Sequence, residues 1–347
     1  VNALVATIEE LCPNAVIPVH DATVALLRTS RSVIGASVAL PDEAALNLLV
    51  DKRKTLALAT QLGIRIPRGE STDDVESART VARQVGFPVV LKPVESWVER
   101  DGISTRLAPA AVSSDDELAR TAEHMFAAGA RLLVQEWLQG AREAVSVMCV
   151  GGRVVARFAQ VAYRTSPPLG GSSVLRVSIP LPADAARAAD QLAEATRLDG
   201  YGEVEFRRDR EGHAVLMEVN PRLSASVEIA VRSGVDFPLL VYLHAVGAPV
   251  TAVPGYRENV RMRWLGGDLL WLRSILRHGG GGPDMPRPSR ALAAFAADFF
   301  RRTGYDYIAR NDWRPALVAS SNMARATIAG WRRPPSAGTL HDTGPFA

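Results

Sequence analysis

Cysteine is nearly absent: the 347 residues hold two, Cys12 and Cys149. That number makes neither a disulfide framework nor a metal set, and it suits a reducing, cytoplasmic compartment. No stretch approaches the ~18 uninterrupted apolar residues of a membrane span. Nor is there the charged, apolar, then small order of a signal peptide, so no membrane partner is expected. Proline (22) and glycine (27) are too sparse for a collagen-like or low-complexity chain, while 47% apolar residues point to packed cores. Single cores stop growing near roughly 250 to 300 residues, so two or three subdomains around a cleft are expected.

Lysine is scarce as well. Of the 40 basic residues only Lys52, Lys54 and Lys92 are lysines, so a chain that otherwise uses arginine keeps lysine at two separate places. Charge is uneven too: residues 1–250 carry a net −4, and residues 251–347, with 14 arginines and 7 acids, a net +7. No zinc-finger, RNA-recognition or helix-turn-helix signature accompanies those arginines, so no nucleic-acid partner is expected and they read as the solvated face of a helical cap. Leu292, Phe295 and Phe299 recur at helical spacing there and predict a helix with one buried face, packed on the rest of the chain.

The pattern elsewhere is α/β. Ala15–Val19 and Val33–Leu40 read as buried stretches around a helix. Asp51 caps a helix through Leu62, another helix spans Thr72–Val85, and Phe87–Lys92 is an apolar strand ending in charge and Pro93. Thr165–Ser173 reads as a Pro/Gly/Ser loop. The chain opens at Val1 inside a helical pattern, and a truncated amino terminus is expected.

The chemistry concentrates in one hairpin, Gly202–Arg207 and Ala214–Val219, around the turn Asp209–Gly212. In a regular ladder Arg208 faces His213 and Glu205 faces Leu216, which puts Glu218 on Glu205's face about 7–8 Å away on the diagonal. Asn220 projects from that face as well. Two carboxylates and an amide oxygen suit a hard, water-retaining cation such as Mg²⁺, and Arg222 beside them suits phosphate. Glu205 alone also fits an ordinary solvated hairpin face.

The run Glu218–Arg222, with Glu205 thirteen residues before Glu218, resembles the metal-binding hairpin of the ATP-grasp superfamily of carboxylate–amine and carboxylate–thiol ligases. Asp51-Lys52, Gly86–Pro93 and the segment Gln135–Leu138 with Gly140 and Glu143 resemble, in order, its entry helix, phosphate-lysine strand and adenine hinge. The likeness covers residues 45–250, and Arg164–Arg176 with its Gly170-Gly171 turn resembles a branch near the carbamoyl-phosphate-synthase and biotin-carboxylase-like proteins.

The resemblance implies an α+β ATP-grasp fold. Residues 1–50 would be a partial Rossmann-like domain, 51–250 the ATP-grasp domain (small lobe 86–137, large lobe 138–250) and 251–347 a basic helical region. It implies ATP and Mg²⁺, with Mn²⁺ as a substitute. Metal would be held by Glu205, Glu218 and Asn220, and nucleotide by Lys52, Lys92, Ser104, Glu136, Trp137, Leu138, Glu143 and Met217. Arg222 would stabilise the transferred phosphoryl group, and Arg164 or Arg176 would clamp a substrate carboxylate. The flap 96–105 departs from the family pattern in having a single glycine, Gly102. The implied activity is a ligase joining a small carboxylic acid to an amine through an acyl phosphate, in a protein whose oligomeric state stays open. A kinase, a bicarbonate- or carbamoyl-type activating enzyme and a non-catalytic ATP-binding module are the alternatives.

Overall fold

The computed structural model describes residues 2–95, 97–100, 103–168, 170–278, 285–309 and 311–331. The chain divides into two compact units. The first joins the residues up to Val161 with Ser178–Asn259; the second joins Ala162–Val177 with the chain from Val260 onward. Segment Ala162–Val177, expected inside a 51–250 domain, thus groups with C-terminal sequence.

The first unit opens with α1 (Asn2–Leu11), β1 (Ala15–Val16), α2 (Asp21–Ser30), β2 (Ser37–Val38) and α3 (Glu43–Leu49). β1 and β2 pair in parallel, and Ile8, Val24, Leu27, Leu40 and Leu46 close a small core. α4 (Lys52–Gln61) starts at Asp51, whose carboxylate accepts from the backbone N–H groups of Arg53 and Lys54. That cap fixes Lys52 at the first helical position.

Next come β3 (Gly69–Thr72), α5 (Val75–Val85), β4 (Val89–Pro93), β5 (Trp97–Arg100), β6 (Ile103–Arg106), β7 (Ala110–Val112), α6 (Asp115–Ala127) and β8 (Leu132–Glu136). α5 begins later than the expected Thr72, because Thr72 pairs with Leu132 in the sheet and Asp74 provides the cap. Strands β3, β8, β4 and β7 form an antiparallel sheet in that order. α5 and α6 cover it through Ala78, Val81, Leu118, Ala122 and Met125.

The chain continues through β9 (Arg142–Val150), β10 (Arg153–Ser166), β11 (Ser172–Ser178), α7 (Ala183–Ala195), β12 (Gly200–Arg208), β13 (Ala214–Asn220), α8 (Glu228–Ser233) and α9 (Phe237–Ala245). Within the first unit the strand order is β13-β12-β9-β10. Val145, Val147, Phe206 and Leu216 on these strands pack against Ala189 and Leu192 of α7. The expected loop at Thr165–Ser173 is shorter in fact, since β10 runs on to Ser166 and β11 starts at Ser172. Arg164 and Arg176 are therefore strand residues.

In the second unit β11 pairs antiparallel with β14 (Arg261–Arg263), which pairs in parallel with β15 (Gly304–Tyr305). Helices α10 (Leu265–His278), α11 (Pro288–Ala297) and α12 (Arg314–Trp331) complete it. Val174, Trp271, Leu272, Ile275, Ala291 and Phe295 form its core. Of the expected apolar stripe only Phe295 is buried; Leu292 and Phe299 are each 52% exposed, because Ala291 rather than Leu292 shares the inward face with Phe295. No helix among the described residues is long and apolar enough to cross a membrane.

A buried ion network holds this unit. Asp268, fully buried, accepts from Arg164 Nη1 at 2.8 Å and Arg263 Nε at 2.6 Å. Asp298 accepts from Arg164 Nη2 at 2.5 Å and Arg261 Nη2 at 2.6 Å, and Asp306 from Arg176 Nη2 at 2.6 Å. The Arg164 guanidinium also lies over Trp271, 4.6 Å from the ring centroid. Removing one member would strand buried charge. Asp268→Ala should therefore lower stability by about 3–5 kcal/mol in urea unfolding of the full chain. A loss below about 1 kcal/mol would mean that the network carries no structural weight.

Candidate active site

The β12–β13 hairpin is not a regular ladder. Glu203 pairs with Asn220, Val204 with Val219 and Glu205 with Glu218, but Phe206 then pairs with Leu216, leaving Met217 as the extra residue of a β-bulge. The register departs from expectation in two steps: at the turn, so that Arg208 faces Ala214 rather than His213, and then at the bulge, which sets Glu205 directly opposite Glu218 rather than on the diagonal. Asp209 N donates to His213 O at 3.0 Å to close the turn.

Directly opposed carboxylates repel. Burial, reinforced by Glu218, raises the pKa of Glu205 despite the counteracting charge of Arg142, whose Nε is 3.9 Å from Glu205 Oε2. Glu218 shifts the other way: burial disfavours its charge, but Lys52 and Lys92 outweigh burial, with Lys52 Nζ 3.7 Å from Glu218 Oε2. Lys92 is the last residue but one of the buried strand β4, and burial draws its pKa down to about 8 against the pull of Glu218 and Glu205. Asn220 Nδ2 donates to Glu205 Oε1 at 3.4 Å. Arg222 reaches Asn220 Oδ1 at 3.5 Å and pairs with Asp21 at the start of α2. The fold thus gathers Lys52, Lys92, Glu205, Glu218, Asn220 and Arg222 from three separate sequence regions.

The described residues contain no cluster of three or more His, Cys, Asp or Glu side chains placed to hold a metal. Two carboxylates and an amide oxygen nonetheless fit Mg²⁺, which binds through one or two carboxylates and keeps its other positions for water and substrate phosphate. The mutual repulsion of Glu205 and Glu218 fits a cation between them as well.

The hinge segment differs from expectation. Glu136 is engaged by Arg68, whose backbone N–H and Nε donate to its two oxygens at 2.9 and 2.8 Å. Glu143 is held by Arg208 Nε at 3.0 Å and Nη2 at 2.5 Å. Both carboxylates, expected to accept from nucleoside, are committed to arginines. Trp137 faces Arg207, 5.2 Å from its ring centroid, and Arg207 also donates to the carbonyls of Leu138 and Gly140 at 3.1 Å. A Cβ at Gly140 would stand 2.0 Å from Arg208 O, so only glycine permits this approach. Leu138 is buried and Met217 half-buried. Ser104 lies on β6, but its side chain, like Ser96, Asp101 and Gly102 of the flap, falls outside the described residues.

Arg164 and Arg176 do not join this set. They belong to the second unit, where aspartates neutralise them, so the expected clamp on a substrate carboxylate is replaced by a structural ion network. Conversely, the sequence reading missed Glu203, Arg142, Arg207 and Asp21. Strand period two from Glu205 marks Glu203 and Arg207; Arg142 and Asp21 join only through tertiary structure.

A profile of the family described as "ATP-grasp in the biosynthetic pathway with Ter operon" matches residues 129–267. The carbamoyl phosphate synthase large chain of Thermomicrobium roseum is 26% identical over 228 residues, 62% of this chain and 20% of that protein. The D-alanine–D-alanine ligase of Stutzerimonas stutzeri is 28% identical over 208 residues, 56% of this chain and 63% of that protein. Campylobacter jejuni biotin carboxylase, solved as a β-γ-ATP complex, superposes with a TM-score of 0.62 at 20% identity, covering 75% of this chain and 60% of that one. The chain therefore spans less than two thirds of each of these proteins.

If the opposed carboxylates are held together against their repulsion, removing one charge should stabilise the metal-free protein. Glu205→Gln is expected to raise unfolding free energy by about 1 kcal/mol in chelator-containing buffer, the sign typical of relieving strain at a functional site. A decrease in that measurement would contradict the charge assignment.

Proposed function

We propose, from these likenesses to ATP-grasp ligases, that the chain is an ATP-grasp enzyme whose first unit binds ATP with Mg²⁺ and activates a small carboxylic acid for capture by an amine. The observation that carries this reading is the convergence of Lys52, Lys92 and Arg222 on the Glu205, Glu218 and Asn220 face.

Phosphoryl transfer is mostly positioning and electrostatic stabilisation. In this reading Lys52 and Lys92 hold phosphate oxygens as compact point charges, and the arriving polyanion favours the charged form of Lys92 that burial disfavours. Glu205, Glu218 and Asn220 would hold Mg²⁺, or Mn²⁺ in its place, which supplies charge neutralisation at the transferred phosphate. Arg222, fixed by Asp21, orients the carboxylate that attacks the γ-phosphate and expels ADP; the amine, as its free base, then attacks the carbonyl carbon of the acyl phosphate, releasing inorganic phosphate and a proton to solvent. Adenine packs against Leu138, Met217 and the Trp137 region. Glu136 and Glu143 act through Arg68 and Arg208 to hold the hinge rather than by touching nucleoside. Both substrates are small molecules in a cytoplasmic setting, without nucleic acid or membrane.

The carbamoyl phosphate synthase and biotin carboxylase likenesses favour a second reading, in which bicarbonate is the acid activated. ATP turnover with pooled carboxylic acids and hydroxylamine separates the two, since only an organic acid yields a trapped hydroxamate. Saturating ATP with Mg²⁺ should stabilise the chain by about 2–4 kcal/mol, read as a rise in melting midpoint. Glu218→Gln should lower turnover on the order of 100-fold while sparing adenosine recognition. Lys92→Ala should weaken ATP itself about tenfold. Wild-type ADP release by both variants would refute the site assignment.

A further inference from the structure

The carboxylate face of β12 runs on past the proposed metal site. Strand period two from Glu205 through Glu203 brings Tyr201 to the same face, about 13 Å away at ~3.3 Å per residue, and Met148 of β9 pairs with Tyr201. Tyr201 and Met148 line a cavity of about 420 Å³, within the ~300–1,000 Å³ typical of small-molecule sites. Every residue lining it lies in the first unit. Ile17 and Leu40, just beyond the carboxyl ends of the parallel strands β1 and β2, contribute to its wall, as do Val241 and Ala245 of α9. Carboxyl ends of parallel strands are where α/β folds place their ligands.

Most polar groups around the cavity already have partners within the protein. Tyr201 Oη bonds with Ser146 Oγ at 3.0 Å, Asp42 accepts from Ala45 N at 2.7 Å, and Arg31 donates to the carbonyls of Leu40 and Pro41 at 2.7 and 2.8 Å. Asp199 accepts from Gly151 N at 3.1 Å and lies 3.4 Å from His244 Nε2. The rest of the wall is apolar, with Leu40, Met148, Leu223 and Val241 each at most 7% exposed. Met148 gives that wall an adaptable, polarisable side chain.

Arg222 lines the same cavity. Besides its ion pair with Asp21 it reaches Leu223 O at 3.3 Å and Asn220 Oδ1 at 3.5 Å, both long beside the ~2.7–2.9 Å of a guanidinium on a carboxylate. A cation in the wall of an apolar cavity suits a ligand with a carboxylate at one end and an apolar body. Bicarbonate brings the anion and leaves the volume unfilled.

Resting on the ligase reading, we propose that this cavity holds the body of the acid whose carboxylate Arg222 orients. The acid activated is then an apolar-bodied monocarboxylic acid of medium-chain or phenylalkyl size, and Val241 and Ala245 limit its length.

The full chain is assayed for ADP and hydroxamate with MgATP, hydroxylamine, bicarbonate, phenylpropionate and straight-chain acids from acetate to decanoate. kcat/KM should rise about fourfold per methylene while apolar surface is being buried, and stop rising once the cavity is full. Ala245→Phe should lower kcat/KM about tenfold or more for phenylpropionate and the longest accepted acids and leave propionate within about twofold, whereas a folding defect would lower all acids alike. Val241→Ala should move the break towards longer acids. A wild type that prefers acetate or bicarbonate, or an Ala245→Phe profile parallel to that of the wild type, would overturn the proposal. Binding is read separately from the melting midpoint against the same acids, with and without MgADP. A rise that grows with chain length and shrinks in Ala245→Phe is expected, and no rise in either condition would overturn the proposal. Length-dependent binding without ADP release from any acid would instead refute the ligase reading and uphold the cavity assignment.

Discussion

Opposition of like charges across the β12–β13 hairpin is the constraint around which the first unit is arranged. Glu205 and Glu218 are held face to face by a single-residue bulge at Met217, on a sheet whose reverse side is packed against α7. Carboxylates so placed are tolerable only with cations close by. The fold delivers Lys52 from a helix start, Lys92 from a strand end, Arg142 from the neighbouring strand and Arg222 from the segment after the hairpin. Each element's position follows from ordinary rules of capping and strand pairing, and the charge pattern is what those elements jointly present.

The two units use cations differently. In the second unit arginines serve as planar, multiply bonded partners for Asp268, Asp298 and Asp306. The guanidinium of Arg263 also lies 4.3 Å from the ring centroid of Phe295. Lysine appears instead where a compact charge faces carboxylates and, in our reading, phosphate. Arginine's fixed fork suits permanent pairing, while lysine's single charge on a flexible stem suits a ligand that comes and goes. That division accounts for Lys52 and Lys92, two of the three lysines among 40 basic residues, better than compositional drift would.

Much of the first unit was legible in the sequence because its signals are local. The Asp51 cap, the β4 run ending at Lys92 and the alternation through Glu205, Glu218 and Asn220 each depend on a few adjacent residues. The bulge at Met217 was not legible, since a turn of known residues still permits more than one register. Partner choice was also hidden. Arg68 and Arg208 reach Glu136 and Glu143 across 68 and 65 residues of sequence, and Arg164 reaches Asp298 across 134. Arg164 beside a glycine turn suggested a ligand clamp, whereas the aspartates that neutralise it lie more than a hundred residues away. Glu203 could have been found by extending the strand period two residues back from Glu205.

The central claim, that this carboxylate face and its lysines form one metal–nucleotide site, is tested most directly by electron paramagnetic resonance of Mn²⁺ titrated into the protein with ATP. The account predicts that the free Mn²⁺ signal falls when protein and ATP are present together, beyond what ATP alone produces. It also predicts that this excess binding is lost in Glu218→Gln and sharply reduced in Lys52→Ala. Equal Mn²⁺–ATP binding by the wild type and Glu218→Gln would contradict it.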